Sequence, residues 1–281
     1  MGTTALASVR SCGVTTLAVA LAATWPAGRR VLVVEADQAG GTLAGAAGWP
    51  PEPSLVSLAA AARRGGDPAL VWEHCHQLPG GAMVLAGPSS PEQAGTALGM
   101  LGPLLGRLGE FDAEVLVDCG RLAPGPSMFG VLRCADRRVV AARPRLADLH
   151  ALSTWLETCR PEPSPQLVMV GDGPYSDAEI TDALGVEVVA RLPWDPDAAA
   201  SLLSVPASAR ALRMAPLVRA ARSLADRLAG STAERAEPGQ VSAEPAGGRF
   251  PVAVPRRLLR ARRPGTAPVS SNGNAAEEAT T

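Results

Sequence analysis

Short runs of β-branched residues alternate with helix-like segments along the first 230 residues, and this alternation restricts the chain to few folds. Runs such as 31–34 and 115–117 are continuous and apolar, which is typical of strands that are buried on both faces. Strands that alternate with helices at this spacing form βαβ units. The pattern predicts an α/β fold, in which a mostly parallel sheet carries helices on both faces.

The predicted elements follow one another closely. The strands are expected at residues 4–9, 31–34, 82–86, 115–117, 138–142, 167–170 and 186–190. The helices are expected at residues 15–25, 55–64, 68–77, 91–108, 128–135, 147–159, 177–184, 198–203 and 217–228. Ligands of such sheets bind beyond the carboxyl ends of the strands, so the residues that follow each strand are the candidate site residues.

The composition changes at residue 230, which divides the chain into an α/β domain (1–229) and a tail (230–281). The tail is rich in proline and poor in large apolar residues, and we expect it to be disordered. It contains a cluster of five arginines, which are Arg256, Arg257, Arg260, Arg262 and Arg263.

The chain has 26 basic residues, and every one is arginine. The lack of lysine excludes Schiff-base chemistry, a pyridoxal-phosphate lysine and the phosphate-binding lysine of a standard P-loop. The net charge of −1 gives no overall attraction to nucleic acid or acidic lipid, and 3% aromatic residues argue against a base-stacking module. The arginine-rich composition is typical of a GC-rich bacterial genome.

Five cysteines are scattered without a Cys-x-x-Cys motif, as expected for reduced thiols in a cytosolic protein. His74, Cys75 and His76 are consecutive, but neighbouring residues on a helix point in different directions. We therefore do not expect them to form a metal site.

A strand, a tight turn and a helix follow one another over residues 5–18, which read ALASVRSCGVTTLA. This segment resembles the first strand and deviant P-loop of the ParA/MinD family of ATPases (SIMIBI class), whose motif is Lys-Gly-Gly-x-Gly-Lys-Thr-Thr. The resemblance places the nucleotide-binding loop on Arg10, Ser11, Cys12, Gly13, Val14, Thr15 and Thr16. Val14 stands at the phosphate-binding lysine, and Val9 stands at the family's signature lysine.

Three later segments resemble the same family in the expected order. Residues 31–43 are similar to its second strand and switch I, with Glu35 and Asp37 at the two acidic positions. The resemblance implies that Asp37 would position the attacking water. Residues 115–120 are similar to the Walker B strand, which implies Mg²⁺ binding by Asp118 together with Thr15. Pro193 begins a late Pro-x-Asp loop near the base, and Asp172 stands where the family often has a base-reading Asn.

The motif also departs from the family in ways that bear on chemistry. Only Gly13 remains of three glycines, and loss of the lysine removes a charge-assisted contact that contributes about 1.5–3 kcal/mol, or ~10–100-fold in affinity. The sequence is thus identified as a degenerate, actinobacterial-type member of the family. It is expected to bind Mg-ATP or Mg-ADP weakly or not at all, and to be a pseudo-ATPase rather than an efficient enzyme.

Such a protein would act as a scaffold or regulator that positions a cellular machine, in pilus or secretion assembly, division or chromosome partitioning. It would associate with a protein partner or with itself, in the cytoplasm or at the inner face of the membrane. Two alternatives remain open. One is an active ATPase in which Arg10 or a partner's arginine replaces the lysine. The other is a module that contacts membrane or DNA through the arginine cluster of the tail.

Overall fold

The computed structural model of the protein describes residues 2–63, 67–105, 107, 110–122, 132, 134–161, 163–204 and 208–235. Its strands are β1 (Thr3–Ser8), β2 (Val31–Glu35), β3 (His76–Gln77), β4 (Met83–Leu85), β5 (Glu114–Arg121), β6 (Arg137–Ala142), β7 (Gln166–Val170) and β8 (Val188–Leu192). They form one sheet in the order β3-β4-β2-β5-β1-β6-β7-β8. Every neighbouring pair is parallel except β3 and β4. The predicted α/β class is confirmed.

Helices cover both faces of this sheet. They are α1 (Val14–Thr24), α2 (Leu43–Ala47), α3 (Leu55–Ala62), α4 (Pro91–Leu105), α5 (Leu146–Cys159), α6 (Asp177–Leu184), α7 (Pro196–Leu203), α8 (Ala209–Met214) and α9 (Pro216–Arg235). A 3₁₀ helix also runs over Pro68–His74. No helix in the described part of the chain is long and apolar enough to cross a membrane.

Alternation of side chains along β2 and β5 directs successive residues into two different hydrophobic clusters. In β2, Val33 packs into the core that contains α1, α7 and α9, whereas Leu32 and Val34 pack into the core of α3 and α4. In β5, Leu116 and Val117 divide in the same way. Since both sets are buried, the residues at 31–34 and 115–117 are apolar on both faces, which explains why they were recognisable as continuous runs.

Several elements differ from the sequence-based prediction. The helix expected at 68–77 is a 3₁₀ helix that ends at His74 and leads into β3, since Cys75 is already extended. The strand expected at 186–190 lies two residues later, and β5 runs past Asp118 to Arg121. The short α2 and α8 were not predicted, because five or six residues carry too little periodicity. Most of the helix expected at 128–135 lies outside the described residues.

The last helix, α9, reaches Arg235 and so extends past the predicted domain boundary at 229/230. Residues 236–281, including the arginine cluster, lie outside the described residues. The division of the chain into a domain and a disordered tail stays a prediction.

A buried ion pair ties α9 to the middle of the sheet. The Arg137 guanidinium pairs with Glu114, donates from Nε to Thr4 Oγ1 (2.8 Å) and from Nη1 to the carbonyl of Leu228 in α9 (2.5 Å). Both charged side chains are almost fully buried, so each depends on the other. Arg137 therefore joins β1, β5, β6 and α9 at the amino end of the parallel strands.

Candidate functional site

The loop between β1 and α1 leaves the first turn of α1 without a side-chain cap. Gly13 is the N-cap residue, and its φ of 93° is one that other residues rarely adopt. Its carbonyl accepts from Leu17 N–H (2.9 Å), while no cap side chain meets the N–H groups of the first turn. Uncapped N–H groups at a helix start, together with the helix dipole, favour an anion.

Asp118 lies at the same edge of the sheet, on β5 beside β1. Its Oδ1 atom accepts from Gly120 N–H (2.9 Å), whereas the buried Oδ2 atom has no hydrogen-bond partner among the described residues. Burial raises the pKa of Asp118 to about 6, although the neighbouring Thr15 hydroxyl and the Gly120 N–H lower it. Near neutral pH the group is therefore a buried, mostly ionised carboxylate with one free oxygen.

Glu35, which pairs with Asp118 in the β2–β5 register, holds the following loop in place. Its Oε1 atom accepts from Thr42 N–H (2.6 Å) and Leu43 N–H (3.0 Å), and its Oε2 atom accepts from Gly87 N–H (2.9 Å). Burial raises the pKa of Glu35 above its usual value, and these bonds oppose the rise. Because its oxygens are occupied by backbone groups, Glu35 acts as a structural anchor for residues 36–43.

That anchored loop carries Asp37. Its Oδ1 atom accepts from Ala39 N–H (2.7 Å), and its carboxyl group lies so close to Gly120 that a Cβ there would overlap it. The pKa of Asp37 is raised by burial, whereas the Ala39 bond and the charge of Arg121 lower it. Asp37 and Asp118 thus lie on either side of the Gly120 backbone. Among the described residues, however, no three His, Cys, Asp or Glu side chains converge on a point that could hold a metal ion.

Arg10, which would replace the lysine in the alternative of an active ATPase, forms an ion pair with Asp148. Its Nε atom lies 3.4 Å from Oδ1 of Asp148 in the first turn of α5. The Arg10 side chain is 59% exposed, whereas that of Asp148 is only 11% exposed. Val14, at the position of the phosphate-binding lysine, is buried in the core. In this conformation neither residue places a charge at the start of α1.

An apolar cleft of about 210 Å³ opens beside the start of α1. Cys12, Gly13 and Thr16 form one wall, and the segment that follows β8, with Pro193 and Trp194, forms the other. Asp195 in this segment caps α7 by accepting from Ala198 N–H (3.0 Å). The indole of Trp194 is 62% exposed, and the guanidinium carbon of Arg143 lies 5.5 Å from its ring centroid.

The structure brings most of the predicted site residues to one edge of the sheet. Thr15, Asp37 and Asp118 meet there, and Cys12, Gly13 and Thr16 share the cleft with Pro193. Asp172 is exposed and does not line the cleft, and Ser11 is also exposed. Sequence reasoning did not identify the anchoring role of Glu35, the pairing of Asp148 with Arg10, or the contact between Arg143 and Trp194. Asp148 and Arg143 follow β6, which is a position where ligand contacts are expected.

The consecutive His74, Cys75 and His76 do not form a shared site. Nδ1 of His74 lies 2.7 Å from the Ser57 hydroxyl, and Cys75 donates to the carbonyl of Val71 (3.2 Å). The ring of His76 stacks on Trp49 with centroids 4.7 Å apart. The three side chains therefore have different neighbours.

No protein-family model matches the chain, and no curated protein matches it in sequence. Solved structures do match its fold. A ParA family ATPase from Chlorobium tepidum is 18% identical, with a TM-score of 0.66 over 81% of this chain and 98% of its own. MinD from Pyrococcus horikoshii, complexed with Mg-ADP, is 18% identical, with a TM-score of 0.63 over 84% and 99%.

A complex of the cell division proteins MinC and MinD from Aquifex aeolicus also matches. It is 14% identical, with a TM-score of 0.60 over 87% of this chain and 99% of that chain. These solved structures are matched over nearly their whole length, while the identities are low. The chain therefore has the fold of the ParA and MinD ATPases.

Proposed function

We propose that this chain is a nucleotide-binding scaffold that helps to position a cellular machine, and that it binds Mg-nucleotide weakly and hydrolyses it slowly or not at all. One observation carries the proposal: the Oδ2 atom of Asp118 is buried beside Thr15 and accepts no hydrogen bond from the residues that the structure describes. A buried charge is costly unless something compensates it. A bound cation would supply that compensation.

The chemistry of the donors fits Mg²⁺ in the presence of a polyphosphate. Mg²⁺ is usually held by one or two carboxylates together with substrate phosphates, and it keeps several waters. Asp118 and the Thr15 hydroxyl would contribute the protein's part. The uncapped start of α1 would bind the phosphates through backbone N–H groups.

Slow or absent hydrolysis follows from what surrounds this anion site. The chain has no lysine, Val14 is apolar, and Arg10 is paired with Asp148. Charge that develops on a transferred phosphoryl group would therefore lack the loop lysine that stabilises it in standard P-loop enzymes. Asp37 could still orient a water molecule, because its carboxylate is held beside Asp118 by Ala39 and Gly120.

The positioning role and the partner are inferred from the fold. The matched MinD structures are described as cell division and septum site-determining proteins, and one is a complex with MinC. We extend to this chain the proposal of a protein partner or a second copy of itself. The alternative of an active ATPase requires Arg10 to leave Asp148, or a partner to supply an arginine.

Thermal unfolding with Mg-ATP, Mg-ADP or EDTA tests the proposal. At a ligand concentration ~10 times the dissociation constant, binding adds about 1.4 kcal/mol of stability. For a domain of this size that raises Tm by about 3–5 °C. The shift should vanish in Asp118→Asn, while phosphate release by the wild type stays at the level of buffer. Turnover that depends on Asp37 and Arg10 would instead support the active ATPase, and no shift with any nucleotide would refute binding.

A further inference from the structure

Arg143 is a cation beside the apolar cleft, and no sequence motif assigns a role to it. It follows β6 directly, and the parallel β1–β6 register pairs Ser8 with Ala141, so Arg143 lies beyond the carboxyl end of β6 at the edge where β1 leads into the loop before α1. Its guanidinium carbon lies 5.5 Å from the ring centroid of Trp194, which lines the same cleft as Cys12, so Arg143 lies beside this cleft.

The guanidinium of Arg143 forms no salt bridge within the described part of the chain, in contrast to Arg10. It contacts the face of Trp194 instead, which leaves its N–H donors available. Trp194 itself is largely exposed although it is the largest apolar side chain of the cleft. An unpaired cation and an exposed indole therefore lie together beside the uncapped helix start.

We propose that Arg143 is the phosphate-binding cation of this chain, and that it contacts the phosphates of a nucleoside di- or triphosphate whose base and sugar lie in the cleft. The inference rests on the proposed function, because it assigns a binding residue for the same nucleotide. A planar guanidinium can bind two phosphate oxygens at once, so an arginine can perform this role.

The arrangement also explains how a P-loop without lysine could retain affinity. The positive charge would come from Arg143 after β6, which pairs with β1, rather than from a lysine at the start of α1. Arg10 is less suited to this role, because Asp148 already neutralises it. Apolar groups line most of the cleft, so the phosphates would supply much of the polar binding energy.

Titrations of intrinsic fluorescence with adenosine, ADP and ATP, in the presence of Mg²⁺, test the role of Arg143. Trp194 lines the cleft, so ligand binding should change its emission, and Trp194→Phe should remove the change. In Arg143→Gln, we expect the dissociation constants of ADP and ATP to rise about 10–100-fold, the effect of one charge-assisted hydrogen bond. The dissociation constant of adenosine should change less than about 3-fold, because adenosine has no phosphate.

Arg145→Gln is the matched control, since it removes an exposed arginine two residues away and should leave all three constants unchanged. Equal weakening of adenosine and ATP in Arg143→Gln would show that Arg143 only orients Trp194, and unchanged ATP binding would show that it plays no part; each overturns the inference but not the proposed function. If the wild type binds neither ADP nor ATP, by fluorescence or by calorimetry, both proposals fail.

Discussion

Replacing Asp118 by Asn should stabilise the ligand-free protein near neutral pH while removing its response to Mg-nucleotide. Burial raises the pKa of Asp118 from 3.8 to about 6. Each pKa unit corresponds to about 1.4 kcal/mol, so a shift of about 2 units means that ionised Asp118 lowers stability by about 3 kcal/mol. Asn has nearly the same shape and carries no charge, so it avoids this cost.

Because the pKa of Asp118 is raised on folding, the stability difference between wild type and Asp118→Asn depends on pH. Below about pH 4 Asp118 is protonated in both folded and unfolded chains, so wild type and Asp118→Asn should be about equally stable. As the pH rises from about 4 to 6, the unfolded chain loses its proton first and the wild type loses stability relative to the variant. Above the folded pKa the difference should remain at about 3 kcal/mol.

Urea unfolding of both proteins between pH 4 and 8 measures this difference directly. Asp112→Asn is the matched control, because Asp112 is exposed just before the same strand and its replacement should change stability by less than about 0.5 kcal/mol. A variant less stable than wild type at pH 7.5, or a difference that does not grow with pH, would refute the account of Asp118 as a costly charge kept for a cation.

Further predictions concern the surroundings of the site and can be checked by the same unfolding assay. Gly120→Ala should destabilise the protein by about 2 kcal/mol or more, because the new Cβ overlaps the Asp37 carboxylate and residue 120 has a φ of 61°. Gly99→Ala on α4, where nothing lies within 4 Å of a new Cβ, should instead stabilise it by up to about 1 kcal/mol; destabilisation there would contradict the reasoning. Arg137→Met should cost about 3–5 kcal/mol because it leaves Glu114 buried without its principal partner, and a loss below about 1 kcal/mol would show that Arg29 compensates it.

The sheet and the edge that carries the site were predictable from the sequence because both depend on local patterns. Continuous apolar runs marked the central strands, and parallel strands bring their carboxyl ends to one edge. For that reason Asp37 and Asp118, which are 81 positions apart, could be expected to lie near each other. In the structure both carboxyl groups lie next to Gly120.

The remaining features depend on contacts that no local pattern records. Arg10 pairs with Asp148, which lies 138 positions further along the chain, so no local pattern excluded Arg10 as a substitute for lysine. The contact between Arg143 and Trp194 likewise joins the ends of two strands, β6 and β8, that are not neighbours in the sheet. The sequence placed Glu35 only at the first acidic position of switch I, and its three backbone hydrogen bonds identify it as an anchor.

The central claim is that a P-loop without lysine still binds Mg-nucleotide through Asp118 and the start of α1. Isothermal titration calorimetry of the full chain with millimolar Mg-ADP tests it most directly. We expect saturable binding of one nucleotide per chain, lost when EDTA removes Mg²⁺ and lost again in Asp118→Asn, which remains folded. Binding that is unaffected by Asp118→Asn, or no saturable binding by the wild type, would contradict the claim.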